Sequence, residues 1–244
     1  MARITVVLNR KGGIGKSTIT VNTAAITAHV HGPSPDGEPD PVVAVSVDPQ
    51  GSTTWWAERV GDELPFSFIQ AHTKEQLRGL KGLKESDKVK HAFVDTPGWM
   101  DISDEEKQRA GDALGTSTAA DALRAVLEHA DDIIVPIEPE PLGFGPTSTT
   151  IEEVIKPRGI PYTVVISNWD PRDGKADLED TKAFVRAQGW PLANTVIRHY
   201  KLHTRAAADG RVVTQYPKNH VSMQAREDFY GLALELGAGG KRAQ

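Results

Sequence analysis

The residues best suited to chemistry lie near the start of the chain, where positions 10–18 read RKGGIGKST. Glycines between the two lysines let backbone N–H groups turn toward a bound anion. Lys16 brings a positive charge to the terminal phosphates of a nucleotide, and Ser17 offers a hydroxyl to Mg²⁺. The spacing therefore predicts a phosphate-binding loop. The predicted nucleotide-binding residues in this loop are Lys11, Gly12, Gly13, Ile14, Gly15, Lys16, Ser17 and Thr18.

Such a loop needs a strand before it and a helix after it, and the sequence supplies both. Short apolar runs alternate with longer helical patterns, and several runs are apolar throughout, as in strands covered on both faces. The predicted strands are Ile4–Leu8, Val42–Val47, Phe66–Ile69, His91–Val94, Asp132–Ile137, Tyr162–Ser167 and Thr195–Ile197. The predicted helices are Lys16–His31, Ser52–Val60, Lys74–Leu83, Ala119–His129, Thr147–Ile155, Leu178–Gln188 and Ser222–Leu236. The alternation predicts an α/β fold with a mostly parallel, twisted sheet and helices on both faces.

One domain is predicted over residues 1–238, followed by a short flexible tail at 239–244. Two polar stretches interrupt the alternation and are predicted to be surface-loop insertions. The first, 31–41, is rich in Pro, Gly and acidic residues. The second, 101–117, is polar and acidic. It is either a solvated insertion or a mobile loop over the site, because it follows a strand end that carries an acidic residue.

Composition excludes several kinds of site. The chain has 244 residues, no cysteine and a formal net charge of −5. The lack of cysteine rules out disulfides, thiolate metal sites and cysteine nucleophiles. No apolar stretch approaches the roughly 20 residues of a membrane span. The charge is uneven, since residues 196–226 contain six Lys or Arg residues and one acid, which predicts a basic face.

The earlier lysine distinguishes this loop from ordinary phosphate loops. The common pattern G-x-x-x-x-G-K-[ST] has glycine where this chain has Arg10, and Lys11 follows. The form K-G-G-x-G-K-[ST] resembles the deviant Walker A loop of the ParA/MinD family of ATPases. The resemblance implies that Lys11 reaches the nucleotide of a partner copy in an ATP-dependent homodimer. There a cation supplied in trans neutralises transition-state charge, so Lys11 is expected to be catalytic together with Lys16.

Residues 42–56, VVAVSVDPQGSTTWW, extend the resemblance. The family has D-x-D-P-Q-x-x-x-t-x-W after its second strand, and Ser46 replaces the first aspartate of that pattern. The residues that fit are Asp48, Pro49, Gln50, Thr54 and Trp56. Asp48 is expected to be catalytic, because it would orient or deprotonate the attacking water, and to steer Mg²⁺ through water. The alternative role for Asp48 is an N-cap of the next helix.

Two later strand ends complete the expected site. The segment HAFVDTPGWM ends a strand in Asp95, which is expected to hold Mg²⁺ with Ser17. The residues after it, Thr96, Pro97 and Gly98, are expected to form a switch near the γ-phosphate. Asn168 ends a strand at the same sheet edge, and related proteins use such an amide to read adenine. Capping of the core or of a loop is the alternative for Asn168.

The basic segment and the prolines before it are matched to the family in pattern more than in identity. Arg198, Lys201, Arg205 and Arg211 are candidates for binding DNA phosphates without reading bases. A solvated basic face, or residues on the adenine side of the nucleotide, is the alternative. The proline-rich stretch 131–150 lies at the dimer face in relatives, or is a rigid connector.

The resemblance implies a short ParA-type partition ATPase without an N-terminal DNA-reading domain. Such a protein uses ATP and Mg²⁺, dimerises, coats nucleoid DNA in the cytoplasm and is switched off by a centromere-binding, ParB-like partner. Positioning of another cargo, transfer DNA or a protein assembly, remains an alternative. A metabolic ATP-dependent enzyme of the same fold would not need Lys11. No membrane partner is expected, because the C-terminal sequence GAGGKRAQ offers no amphipathic helix.

Overall fold

The structure is a computed structural model that describes residues 1–35, 38–49 and 51–237. Its sheet has seven strands, all paired in parallel, in the order β3-β2-β4-β1-β5-β6-β7. The strands are β1 (Arg3–Val7), β2 (Val42–Ser46), β3 (Ser67–Gln70), β4 (His91–Asp95), β5 (Asp132–Ile137), β6 (Tyr162–Trp169) and β7 (Ile197–Arg198). Every residue of β2 and β5 is buried, as the continuous apolar sequence predicts for strands covered on both faces.

Helices cover both faces of this sheet. They are α1 (Lys16–His31), α2 (Ser52–Val60), α3 (Lys74–Glu85), α4 (Asp104–Ala110), α5 (Thr118–His129), α6 (Phe144–Thr149), α7 (Ala176–Ala187), α8 (Lys201–Asp209) and α9 (His220–Glu235). One core cluster packs α3, α5 and α7 against the sheet, and two others pack α1, α2, α8 and α9. The predicted single-domain α/β class is confirmed, and the sheet is entirely parallel among the described strands.

The strand order brings the chemical residues to one edge. Because all strands run in the same direction, their carboxyl ends meet at one side of the sheet. The last residue of β1, Val7, is in register with Asp95 of β4, and Asp95 is in register with Ser46 of β2. The phosphate loop after β1 therefore lies beside the ends of β2 and β4. This edge is where the site forms.

The segment 101–117, predicted to be a surface loop, contains α4 and is fastened to the core. Ser103 caps α4 by accepting a hydrogen bond from the backbone of Glu106 at 3.2 Å. Asp112 accepts hydrogen bonds from Arg124 at 2.7 and 3.0 Å, and a further bond from Arg158 at 2.7 Å. The surface-loop prediction is therefore wrong over α4. The helix has only seven residues, which are too few to show a helical pattern in the sequence.

Three other boundaries differ from or fall outside the predictions. The helix predicted at Thr147–Ile155 begins earlier, as α6, and continues into a π-helical turn at Thr150–Ile155. Residues 31–41 contain only the last residue of α1 and no further helix or strand among those described. The predicted tail at 239–244 lies outside the described residues, as does Gln50. Within the described ranges, none of the helices has the length and apolar character needed to cross a membrane.

Candidate nucleotide-binding site

A cavity of about 940 Å³ opens at the carboxyl edge of the sheet. Its walls are the phosphate loop, the connection from β2 to α2, the segment after β4, and one side of α8. Six of the eight predicted loop residues line it: Gly12, Gly13, Gly15, Lys16, Ser17 and Thr18. The structure therefore brings together the residues that the sequence assigned to phosphate binding.

The phosphate loop ends in a conformation that glycine adopts easily. Gly15 has φ +85° and is the N-cap of α1, so the first backbone N–H groups of the helix face the loop. Lys16 is 8% exposed, and its Nζ donates to the carbonyl oxygen of Lys11 at 2.9 Å. Burial lowers the pKa of Lys16, and the charges of Asp95 and Asp48 oppose that shift. A buried ammonium group at the start of a helix is suited to hold an anion.

Asp95 does not line the cavity itself but lies buried behind Ser17, and it provides the strongest argument for a cation at this site. It is fully buried, and its Oδ2 accepts hydrogen bonds from Ser17 Oγ at 2.7 Å and Thr53 Oγ1 at 2.5 Å. Its Oδ1 is buried without a hydrogen-bond partner among the described residues. Burial raises the pKa of Asp95 to about 6, although the bonds from Thr53 and Ser17 work against this. A carboxylate with an unused oxygen beside a hydroxyl fits Mg²⁺, which prefers oxygen ligands.

Thr53 was not predicted, and the family pattern pointed to its neighbour, Thr54. The two residues are adjacent in the first turn of α2, and only the tertiary structure shows which of them faces Asp95. Thr53 is fully buried. Its sequence context carries no signal that would separate it from the three other hydroxyl residues nearby, so this part of the site could not be found from the motif.

Asp48 lies at the end of β2 and lines the cavity. The alternative role of Asp48 as the N-cap of α2 is not what the structure shows. The N-cap is Gly51, with φ +70°, and no side chain caps this helix. The backbone N–H of Gly51 donates to the carbonyl oxygen of Asp48 at 3.0 Å, which forms a turn before α2.

The segment after β4 packs directly against the phosphate loop. Thr96 Oγ1 donates to the carbonyl oxygen of Val7 at 2.7 Å, and the N–H of Trp99 donates to the carbonyl oxygen of Arg10 at 3.2 Å. A Cβ on Gly98 would lie 2.7 Å from that same oxygen, so any larger residue would push the segment away. The predicted switch segment is therefore in direct backbone contact with the phosphate loop.

Lys11 points away from the cavity, toward the bend after β5. Its Nζ donates to Glu138 Oε2 at 2.8 Å and to Glu140 Oε2 at 3.3 Å. Burial acts to lower the pKa of Lys11, but the hydrogen bonds and charges of the two glutamates outweigh it and raise that pKa. The prediction that Lys11 faces outward from its own loop agrees with this position. Glu138 and Glu140 were not predicted.

Asn168 belongs to the same network and does not line the phosphate cavity. Its Nδ2 donates to Glu138 Oε1 at 2.8 Å, and its Oδ1 lies 2.6 Å from Nδ1 of His199. Its φ is +61°, an unusual value for a residue with a side chain. Both ends of the amide are thus used within the chain, and a role in reading adenine requires Asn168 to exchange these partners.

The basic segment divides into internal and exposed charges. Arg198 forms hydrogen bonds with the carboxylate of Asp228 at 2.5–3.0 Å and with the carbonyl oxygen of Gln224 at 3.1 Å. The guanidinium group of Arg198 is already paired with a carboxylate, so a DNA contact would compete with that pair, and its role in DNA binding stays a prediction. The three other predicted DNA-binding residues, Lys201, Arg205 and Arg211, are exposed.

An all-parallel sheet of this order, with a phosphate loop between β1 and α1 and an acid at the end of β4, defines a nucleotide-binding protein of the P-loop class. The chain belongs to the ParA/MinD family of ATPases. It is 32% identical over 234 residues to "Maintenance of carboxysome distribution protein A" from Gloeobacter kilaueensis, a match that covers 96% of this chain and 94% of that protein. No protein-family model matches the chain.

Solved structures show the same fold. The MinD cell division protein of Aquifex aeolicus superposes with a TM-score of 0.68 and 15% identity over all of both chains. A complex of a Cyanothece McdA variant with ATP superposes with a TM-score of 0.62 and 14% identity, covering 100% of this chain and 98% of that chain. At these identities the similarity establishes the fold alone.

Proposed function

We propose that this protein is an ATP- and Mg²⁺-dependent ATPase whose ATP-bound dimer positions a large cargo. The observation that carries the proposal is the arrangement of the two lysines of one loop. Lys16 is buried at the cavity, whereas Lys11 extends away from it to a pair of carboxylates. One cation is thus available to the chain's own nucleotide and the other to a partner's.

The described residues account for binding and hydrolysis as follows. Backbone N–H groups at the start of α1 and the ammonium group of Lys16 would hold the phosphates. Ser17 and Asp95 would hold Mg²⁺, with Thr53 fixing the orientation of Asp95. Bound Mg²⁺ would neutralise charge on the phosphate oxygens. Asp48 would accept a hydrogen bond from the attacking water and orient it.

Dimerisation would depend on the release of Lys11. In the single chain Lys11 is neutralised by Glu138 and Glu140. Glu138 is 7% exposed, so the pair is partly desolvated and Lys11 leaves it only if another anion takes its place. The phosphates of a nucleotide on a second copy supply that charge. ATP provides more negative charge than ADP, which supports a dimer specific for the ATP state.

Of the two kinds of cargo considered, DNA and a protein assembly, we infer a protein assembly. The relative that matches nearly the whole chain is named for carboxysome distribution. Plasmid partition, the function predicted first from the sequence, is not confirmed. In this proposal an adaptor protein takes the place of a centromere-binding, ParB-like partner, and the exposed Lys201, Arg205 and Arg211 bind nucleoid DNA without sequence preference.

The first test measures the mass of the purified protein by light scattering with ATP–Mg²⁺, with ADP–Mg²⁺ and without nucleotide. The Asp48→Ala variant prolongs the ATP state, and a dimer is expected only with ATP. Adding Lys11→Ala should abolish that dimer while nucleotide binding stays within about 3-fold, because Lys11 does not contact its own cavity. Lys88→Ala is the matched control, since Lys88 also pairs with a glutamate, Glu38, but on the open surface.

A dimer of unchanged strength in the Lys11→Ala background would refute the role of Lys11 in trans. The second part of the test is the fluorescence anisotropy of a labelled random-sequence DNA duplex at two salt concentrations. Binding with ATP alone, weakened by salt, is expected. Absence of binding in every nucleotide state would remove DNA from the proposal and leave a cargo-positioning ATPase that acts through protein partners.

A further inference from the structure

One histidine in the cavity wall has no role in the site described above. His203, on α8, lines the same cavity as Thr18 of the phosphate loop. It is 9% exposed, and neither of its ring nitrogens has a hydrogen-bond partner among the described residues. A buried imidazole normally has at least one partner, because an unpaired buried polar group is costly.

The surroundings of His203 are aromatic. Phe229 of α9 contacts the ring edge to face, with centroids 5.5 Å apart, and the ring of Tyr200 lies 5.7 Å away. Burial, with a contribution from His199, lowers the pKa of His203 to about 4. The imidazole is therefore neutral at neutral pH, with one N–H to donate and one nitrogen to accept. Apolar packing alone would be served better by leucine.

The position of His203 indicates which part of a ligand it would meet. Lys16 and the glycines mark where the terminal phosphates bind, and Ser17 marks the metal. Thr18 is the next residue of α1, and it lines the cavity together with His203 and Thr204 of α8. A nucleotide held by the loop would direct its nucleoside end away from Lys16, toward residues that lie beyond Ser17.

We infer that His203 is a nucleotide-binding residue that donates a hydrogen bond to the nucleoside-proximal part of ADP or ATP, at an oxygen of the α-phosphate or of the ribose. This inference rests on the proposed nucleotide site. Both ring nitrogens are buried, so this contact requires the ring to turn toward the cavity when an acceptor binds. The unpaired state before binding favours that turn, since the ligand supplies the missing partner.

The test measures affinities for ADP by isothermal titration calorimetry with the full chain. His203→Leu keeps the size of the side chain and removes its polar atoms, and His203→Gln restores an N–H donor. The Leu variant is expected to bind ADP about 5- to 10-fold more weakly, the value of one neutral hydrogen bond, and the Gln variant should recover part of the loss. His72→Leu, at an exposed histidine, is the matched control.

Two further ligands locate the contact. Inorganic pyrophosphate has the two phosphates of ADP but no nucleoside, so His203→Leu should leave its affinity unchanged if the acceptor is on the ribose and weaken it if the acceptor is the α-phosphate. If 2′-deoxy-ADP suffers the same loss as ADP in the Leu variant, the acceptor is the α-phosphate or the 3′-hydroxyl. If 2′-deoxy-ADP binds both proteins equally, the acceptor is the 2′-hydroxyl. An equal loss for ADP and pyrophosphate assigns the acceptor to the phosphates, whereas unchanged ADP affinity in the folded Leu variant would overturn the inference.

The failure of this inference is distinguishable from failure of the proposed function. If the wild-type protein binds neither ADP nor pyrophosphate, the phosphate site itself is wrong. If it binds both and a folded Leu variant binds ADP with wild-type affinity, only the role of His203 is wrong. Should the Leu variant unfold, nitrogen NMR of the wild-type histidines decides. The ring signals of His203 should shift on addition of ADP, and unchanged signals would refute the contact.

Discussion

The phosphate edge, meaning the phosphate loop with Asp48 and Asp95 at the carboxyl edge of the sheet, and the basic segment, residues 196–226, were both predicted from charged residues. In the structure, the charged side chains of these two regions have different partners. At the carboxyl edge of the sheet, Lys16 and Ser17 line one cavity, and the buried Asp95 accepts a hydrogen bond from Ser17. In the basic segment, the first arginine forms an internal ion pair with Asp228. Arg226 likewise donates to the backbone oxygens of Val213, Thr214 and Tyr216.

The difference teaches what kind of pattern transfers from sequence to function. A phosphate-loop motif predicts a backbone conformation, because a strand, a glycine turn and a helix follow one another without interruption. A cluster of positive charges in the sequence predicts no particular backbone conformation. Whether each arginine is exposed to solvent or paired with an internal carboxylate depends on which residues pack against it. The following predictions test this contrast, beginning with the largest effect.

Asp48→Ala should slow ATP hydrolysis by about 10²- to 10⁴-fold, the usual contribution of a positioned general base. Nucleotide affinity should change far less than turnover, because Asp48 is expected to meet Mg²⁺ only through water. Phosphate release under single-turnover conditions measures the first quantity and calorimetry the second. Turnover equal to that of wild type would show that Asp48 has only a structural role. The sequence motif would then not predict the function of every charged residue at the phosphate edge.

Lys16→Ala should reduce affinity for ATP and ADP by about 100-fold, since a hydrogen bond to a charged group contributes up to about 3 kcal/mol. Stability should not fall, because the variant also removes a buried charge. Calorimetric titration checks affinity, and urea denaturation confirms folding. Lys74→Ala, at an exposed lysine that begins α3, serves as the control. Normal nucleotide binding by a folded Lys16→Ala protein would remove the phosphate-loop assignment.

Arg198→Ala should lower the free energy of unfolding by about 2–4 kcal/mol, because it leaves the buried carboxylate of Asp228 without its partner. Lys201→Ala, three residues away on the exposed side, should change stability by less than about 0.5 kcal/mol. Urea denaturation gives both values. If the two variants were equally stable, the division of the basic segment into internal and exposed charges would not hold.

The smallest effect is a pH dependence set by Asp95. Its pKa in the folded protein, about 6, lies above the ordinary value of 3.8, so the folded state binds the proton more tightly than the unfolded state. The free energy of unfolding of the nucleotide-free protein should therefore rise as pH falls from about 6 to about 4, by about 1–3 kcal/mol from this group.

Asp95→Asn isolates that contribution. The variant should be more stable than wild type at pH 7.5 without nucleotide, and the difference should disappear near pH 4, where Asp95 is protonated. Denaturation curves collected across this range make the comparison independent of other titrating groups, because those are common to both proteins. A stability difference that does not depend on pH would show that Asp95 is ionised at an ordinary pKa despite its burial.

The sequence predicted the strands closely, and its errors have local causes. Seven predicted strands correspond to seven observed ones, because apolar runs buried on both faces are distinctive. The helix α4 was missed, since its seven residues are too short and polar to show a 3.6-residue period. Thr53 was missed because neighbouring hydroxyl residues in the first turn of a helix differ only in the direction they face.

By itself the sequence determined the parallel α/β fold, the phosphate loop with Lys16 in it, and the acid at the end of β4. Each of these depends on residues that are close together in the chain. Tertiary structure alone decided that Lys11 meets Glu138 from 127 residues away, that Asp95 is bound by Thr53 from 42 residues away, and that His203 reaches the cavity wall. Such contacts depend on how separate helices and strands pack, so a local sequence pattern cannot predict which distant residue becomes the partner.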